Sequence, residues 1–281
     1  MSYLFLRFPG FKRKAVSLSY DDCVEADREM IQVMTANGLK GTFNVNSGLF
    51  GSEGKHLTAQ EAAELYFPSG NEINVHGLKH CTLSELQTPL IVNEIFSDRK
   101  NLEQLTGQVI KGMAYANRSY ESEKIAPILK NCGISYARIS GTTGKFDLPN
   151  DWLQMQPTCN DFAQDLMDLA KKFIETEEPS YYWSKSPQWF FLYGHARFTY
   201  ERRNVEKFTK LCEYLGNRDD IWYATVGEMY RYAQAYDRLE FSADGTLVYN
   251  PSAIDVYLDY YENKYVIPAG KTIRLEIKDF P

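Results

Sequence analysis

Short apolar runs and helical stretches take turns along most of this chain, and that alternation leaves few folds open to it. Strand-like runs occupy residues 15–20, 41–46, 71–77, 109–115, 134–139, 189–195 and 221–225. Between them, apolar residues recur at helical spacing. Ala26, Met30, Val33 and Met34 mark a helix over 25–36, stopped by Asn37-Gly38. Thr58 and Glu61 form a capping-box pattern at the start of another. Further helices are expected over 82–105, 122–131, 161–177, 204–215 and 226–236. Strands that alternate with helices pair in parallel through right-handed crossovers. Seven of them come close to the number that closes a barrel, so the expected class is α/β. From residue 239 the pattern changes. Asp244-Gly245 stands between two alternating runs, a strong hairpin signal, and two more strands follow. Residues 1–238 are therefore expected to form the barrel domain and 239–281 a small C-terminal antiparallel β appendage, a dimer contact or a lid.

Composition narrows the partners. The 44% apolar and 24% charged shares are ordinary for a globular protein. A net charge of −6 gives no basic surplus for phosphate contact, which argues against nucleic acid. The apolar run before Arg7 is too short for a secretion signal, and no stretch reaches membrane-spanning length. Five scattered cysteines without a Cys-x-x-Cys suit free thiols. The expectation is a cytoplasmic protein with no membrane partner, with a homo-oligomer left open.

Within this frame the polar residues fall in a pattern. The first strand, Ala15 to Tyr20, runs into adjacent carboxylates, Asp21 and Asp22. Like charges at the end of a buried strand repel, and a cation or a shared proton would relieve them; alternatively, Asp22 caps the next helix. His76 and His80 follow the third strand at i, i+4 spacing, and His195 ends the 189–195 strand. Three of the four histidines thus lie at strand C-termini, the edge where barrels build active sites. His56 reads as a surface residue. Alone, the spaced histidine pair reads as solvated. Together with the aspartates it makes a His, His, Asp set suited to Zn²⁺ or a similar catalytic divalent ion.

Asp21-Asp22 after a strand, His76-Gly77-Leu78-Lys79-His80, and Leu192-Tyr193-Gly194-His195 resemble, in order and approximate spacing, motifs of the polysaccharide deacetylase family, the metal-dependent carbohydrate esterases with a NodB-like domain. The resemblance covers about residues 16–232. It implies an irregular (β/α) barrel of about seven strands. It implies that Asp22, His76 and His80 hold a divalent metal, most commonly Zn²⁺, with Co²⁺ or Ni²⁺ as alternatives. It implies Asp21 as general base and His195 as general acid in removing N-acetyl groups from a saccharide.

This chain departs from the family pattern at named positions. Ala114 stands where the family's third motif has an arginine that orients the base, in the run Ala114-Tyr115-Ala116-Asn117-Arg118. Arg138 on the next strand is the first candidate to replace it, and Arg118 the second; a surface salt bridge is the alternative for both. Asn117 is expected to supply the oxyanion-binding N–H, with Tyr115 beside it. Gly77 replaces a hydroxyl residue that helps hold the histidine loop. Asp151-Trp152 is the nearest match to a fourth motif, with Trp152 either a sugar-stacking wall or core, and residues 157–161 line the cleft. Cys81 reads as packing. Two other functions stay open: hydrolysis of a small cyclic or linear amide on the same barrel, and saccharide binding without catalysis.

Overall fold

The computed structural model describes residues 4–53, 55–118, 123–178, 185–201 and 204–276. Ser122, expected within a helix, and the last residues of the expected appendage lie outside the described residues. In chain order the elements begin β1 (Leu4–Arg7), β2 (Lys14–Asp21), α1 (Asp27–Ala36), β3 (Gly41–Val45), α2 (Ala59–Tyr66), β4 (Glu72–Val75) and α3 (Thr88–Thr106). They continue with β5 (Gly112–Ala114), α4 (Ile125–Asn131), β6 (Tyr136–Arg138), β7 (Cys159–Asn160), α5 (Leu166–Glu175), β8 (Gln188–Gly194) and α6 (Ala196–Glu201). Then come α7 (Val205–Leu215), β9 (Ile221–Tyr223) and α8 (Val226–Asp237), followed by the short strands β10 (Glu240–Phe241), β11 (Leu247–Tyr249), β12 (Val256–Tyr260), β13 (Asn263–Ile267) and β14 (Thr272–Arg274).

Strand β2 is the axis. One edge pairs in parallel with β8; the other pairs with β9 at its start and β3 at its end. The sheet runs β6-β5-β4-β3-β2-β8-β7, with β9 beside β2. Residues 152–155 then lie along β6, where Ala137 N donates to Trp152 O and Ile139 N to Met155 O, and the chain runs on from there to β7. Because β7 pairs with β8, this run curls the sheet back on itself as an irregular (β/α) barrel.

The period-2 alternation of the strands sets what faces where. Val16, Leu18 and Tyr20 of β2 point outward into the main core, with Phe43, Val75, Met113, Phe190 and Leu192, against the helices. Ala15 points inward and packs with Trp189, Phe191, Tyr136 and Met155. Ser17, Ser19 and Asp21 share its face, so the barrel interior becomes polar toward the C-terminal end of β2. There the interior groups bond one another; Trp189 Nε1 donates to Ser17 Oγ (2.9 Å) and Asn44 Nδ2 to Ser19 Oγ (2.9 Å).

Among the elements that differ from expectation, three have their cause in visible contacts. The helix expected over 161–177 begins at Leu166, because Asp161 N is held by Tyr193 O and residues 159–161 extend the sheet. The helix expected from residue 82 begins at Thr88, where Pro89 fits a first turn that needs no N–H from it. Strand β1 pairs antiparallel with β12, so the C-terminal β module takes one strand from the start of the chain. The buried Arg7 secures that join through Asp259 (3.2 Å) and Glu178 (2.7 Å).

Candidate active site

At the C-terminal end of β2 the two adjacent carboxylates part company. Asp21 keeps the inward direction of its strand and is 3% exposed. Arg138, on the inward face of β6, reaches it across the barrel: Nη2 sits 2.6 Å from Oδ1 and 2.5 Å from Oδ2. Asn44 Nδ2 adds a bond to Oδ1 at 2.8 Å. Arg138 is fixed in turn by Ser19 Oγ (3.1 Å) and by the ring of Tyr193, 4.6 Å below the guanidinium. Burial pushes the Asp21 carboxyl up, but Arg138, with His76 and His195, outweighs this and holds it well below the usual carboxylate range. Asp21 therefore stays ionised inside the barrel.

Asp22 turns the other way. Its φ is +84° and that of Cys23 is +56°, left-handed conformations that cost non-glycine residues about 1–3 kcal/mol each. The surroundings hold them in place. Asp22 N donates to Asn44 O (3.1 Å), Asp22 O faces His56 Nδ1 (3.0 Å), and Leu57 N donates to Cys23 O (3.1 Å). His56, read from sequence as a surface residue, is half-buried and anchors the Asp22 backbone. Asp22 does not cap the next helix, whose N-cap is Ala26. Its carboxylate instead faces the histidines: Oδ1 is 3.6 Å from His76 Nε2 and 3.5 Å from His80 Nε2.

The loop carrying the histidines is bound from several sides. His76 Nδ1 lies 2.8 Å from the carbonyl of Ala114, which can only accept, so Nδ1 carries the hydrogen and Nε2 presents a lone pair. That Nε2 is buried and has no hydrogen-bond partner among the described residues. Asp98 accepts from His76 N (3.1 Å) and Ser47 N (2.7 Å), and burial pushes its carboxyl up to about 7. Asn46 Nδ2 donates to the carbonyls of His76 and Gly77. Gly77 has φ +87°, and a Cβ there would lie 3.3 Å from Glu94 Oε2. Glu94 bonds Lys79 N (2.9 Å). Asn46, just after β3, and side chains of α3 thus hold the loop around Gly77.

His195 follows β8 and faces the pair from the open side. Its Nε2 is 3.6 Å from Asp21 Oδ2 and 4.0 Å from Asp22 Oδ2, and its side chain is 24% exposed. Beneath it lies Asp161, whose Oδ2 accepts from Thr199 (2.5 Å) and whose Oδ1 is buried without a partner among the described residues. Burial pushes the Asp161 carboxyl up to about 6, with Thr199 and His195 opposing. A side chain at Gly194 would collide with Asp161. Asp161, rather than Asp151, is therefore the carboxylate next to the late histidine; Asp151 bonds the backbone of Leu153.

Other expected residues lie elsewhere. Tyr115 is 4% exposed and packs in the core, because alternation along β5 turns it outward. Trp152 packs on Trp189 (6.2 Å) and Tyr230 (5.3 Å), at the start of β8. Six residues of extended chain, about 20 Å, separate Trp189 from His195, so Trp152 is no wall of this site. Asn117 is near: its Nδ2 is 3.1 Å from His80 O and 3.4 Å from His80 Nδ1. Arg118, the second replacement candidate, is exposed on the same loop with φ +58°.

Asp22, His76 and His80 offer ligand atoms that all lie within 4.8 Å of one another. Bonds of about 2 Å to a tetrahedral Zn²⁺ would set such atoms roughly 3.3 Å apart, near the separations seen around Asp22 Oδ1. With the orphaned lone pair of His76, this donor set fits a divalent cation.

Residues 9–137 match the family model described as polysaccharide deacetylase. No curated protein sequence matches the chain. Solved structures similar to it include the Streptococcus pyogenes deacetylase PplD in complex with acetate, at 19% identity over 53% of this chain and 65% of that one, TM-score 0.49. A polysaccharide deacetylase from Bacillus cereus aligns at 18% identity over 49% of this chain and 44% of that one, TM-score 0.43. A family 4 carbohydrate esterase from Streptomyces lividans, in complex with acetate, aligns at 13% identity over 73% and 88%, TM-score 0.49. The chain spans less than two thirds of the length of the first two. The likeness to the polysaccharide deacetylase family thus rests on residues 9–137, just under half of the chain.

Proposed function

We propose that this protein is a metal-dependent hydrolase that removes N-acetyl groups from an amino-sugar-containing saccharide. The observation that carries the reading is the division of labour between the two carboxylates. Asp21 is bound to Arg138 and kept ionised, while Asp22 is turned toward two histidines.

Asp22, His76 and His80 would hold the ion, which when bound supplies a Lewis acid that polarises the acetyl carbonyl and acidifies water. The protein's own groups do the rest. Asp21 accepts the proton of the attacking water through Oδ2, the oxygen facing His195. The water oxygen joins the carbonyl carbon, and the C–N bond breaks. His195, on the open side, delivers a proton to the departing amine nitrogen, leaving acetate and a free amino group. The N–H of Asn117, on the loop beside His80, is the donor assigned to the carbonyl oxygen. Arg138 is spent on Asp21, so it offers no charge to a small anionic substrate; this favours the saccharide over a small amide. The same contact weakens the case for a purely binding role, which rested on the missing arginine at Ala114.

The test is acetate release from chito-oligosaccharides with Zn²⁺, Co²⁺ or Ni²⁺, paired with metal content. Asp21→Asn should lower kcat by about 10²–10⁴-fold with metal retained, the range for loss of a general base. His76→Ala should lose the metal and the activity together. Full activity in Asp21→Asn, or unchanged metal content in His76→Ala, would overturn the assignment.

A further inference from the structure

A sizeable cavity lies away from the histidines. It opens at the other end of the barrel, where β4, β5 and β6 begin, and has a volume of about 840 Å³. Sites for small organic ligands typically measure about 300–1,000 Å³ and favour domain boundaries. This one meets both conditions, since α8 forms one wall and residues 252–254 of the β module form part of the rim. Glu72, at its floor, opens the strand after which His76 stands, and the two are about 13 Å apart along the chain.

The charges on its walls are unevenly matched. Both lining carboxylates are occupied. Glu72 accepts from the Tyr136 hydroxyl, from Thr42 Oγ1 (2.7 Å) and from Gly227 N (2.9 Å). Glu228 pairs with Lys40 (2.6 Å) and caps its own helix through Thr225 N (2.8 Å). The lining cations are Lys111, Arg231 and Arg238; among the described residues none of their side chains makes a hydrogen bond or a close ion pair, and Arg231 acts on Glu72 only through its field. The Nδ2 of Asn71, also in the lining, is buried and has no partner among the described residues. A chain of net charge −6 thus gathers three cations whose side chains make no hydrogen bond, and an unpaired amide donor, around one hollow. Apolar surface stands beside them: Tyr230 lines the wall, and Val109 is 71% exposed at the mouth.

We propose that this cavity binds a phosphorylated ring compound, the phosphate held by Arg231, Arg238 and Lys111 and the ring laid against Tyr230 and Val109. Guanidinium groups match phosphate oxygens in charge and in fork geometry. A sugar phosphate and a mononucleotide share this chemistry, and the probes separate them. The site stands apart from the deacetylase reading and does not depend on it.

The experiment is calorimetric titration of the full chain carrying His76→Ala, so that no metal at the other end of the barrel competes for phosphate; chelator-treated wild-type chain serves as a second background. The probes are inorganic phosphate, glucose 1-phosphate and uridine 5′-monophosphate. Saturable binding of at least one ester is expected, tighter than inorganic phosphate, with the tighter ester naming the source. Arg231→Ala and Arg238→Ala should each weaken it about tenfold, the loss of one hydrogen bond to a charged group. Arg274→Ala, which removes an exposed charge outside the cavity, should leave it unchanged. Absence of saturable binding by either ester, or an affinity unaltered in the folded Arg231→Ala/Arg238→Ala double variant, overturns the proposal.

Discussion

The Asp21–Arg138 contact lends itself to a quantitative test. Both side chains are almost fully buried, at 4% and 2% exposure, and Nη2 lies 2.6 and 2.5 Å from the two carboxylate oxygens. At a charge separation near 4 Å and an effective dielectric of about 20, the attraction is about 4 kcal/mol. Removing one partner of such a buried pair costs about 3–5 kcal/mol, because the other charge is left without compensation. An exposed pair would cost less than about 1 kcal/mol. Arg138→Met should therefore destabilise the protein by about 3 kcal/mol, with Asn44 still donating to Asp21 and softening the loss. Asp21→Asn should cost a similar amount by stranding the guanidinium. The double variant should cost little more than either single one, giving a coupling of about 2–3 kcal/mol. Equilibrium urea unfolding in chelator-containing buffer at pH 7 measures all three. The Asp21 carboxyl is depressed on folding, so its stabilisation is present above the unfolded carboxylate pKa and is lost only as pH falls through the lower folded value. At pH 7 the pair is fully formed. Additive effects, with coupling below about 0.5 kcal/mol, would refute the idea that Arg138 is what keeps this carboxylate charged.

Gly77→Ala forces a side chain into a left-handed position beside Glu94, so it should lower stability by about 1–2 kcal/mol and weaken metal binding, read by urea unfolding and by competition with a chromophoric chelator. Asp27 is buried, accepts from Tyr66 (2.6 Å) and Val24 N (3.0 Å), and is pushed up to about 7. Its folded pKa is raised, so the native state holds a proton that the unfolded chain releases near pH 4, and stability should fall as pH rises from about 4 to 7. Asp27→Asn should flatten that slope; an unchanged pH dependence of the urea midpoint between pH 5 and 7.5 would refute the sign.

What the sequence disclosed was what depends on local pattern. The alternation of β2 was visible in residues 15–20, and so was the Thr58–Glu61 capping box, which the structure forms with both of its bonds. Contacts that join distant segments were hidden. Strand β1 pairs with β12 some 250 residues later, and nothing in a four-residue apolar run names its partner. Strand β7 is two residues long, too short for any periodicity, and its continuation at Asp161 looked like a helix start. Trp152 and Trp189 carried no mark of which end of the barrel they occupy. His56 was illegible for another reason: its role is a bond to a backbone carbonyl whose left-handed turn appears only once the chain is folded.

The arginine is the case where sequence order and spatial order diverge most. Read along the chain, Ala114 stands where the resemblance expects a guanidinium, and Arg138 comes 24 residues later. Read across the sheet, the two are direct neighbours, because Ala114 and Arg138 are register partners on β5 and β6. Register partners on parallel strands point to the same face, here the barrel interior. Ala114 has almost no side chain, so a long side chain one strand further from Asp21 extends past it unobstructed. The carbonyl of Ala114 also receives His76 Nδ1, so β5 still orients a metal-ligand candidate while β6 supplies the charge. A barrel whose interior is one connected polar layer constrains where a charge ends up more tightly than which strand delivers it. The carboxylate at the end of β2 is met by a cation within about 3 Å, and here β6 delivers it past a small residue on β5.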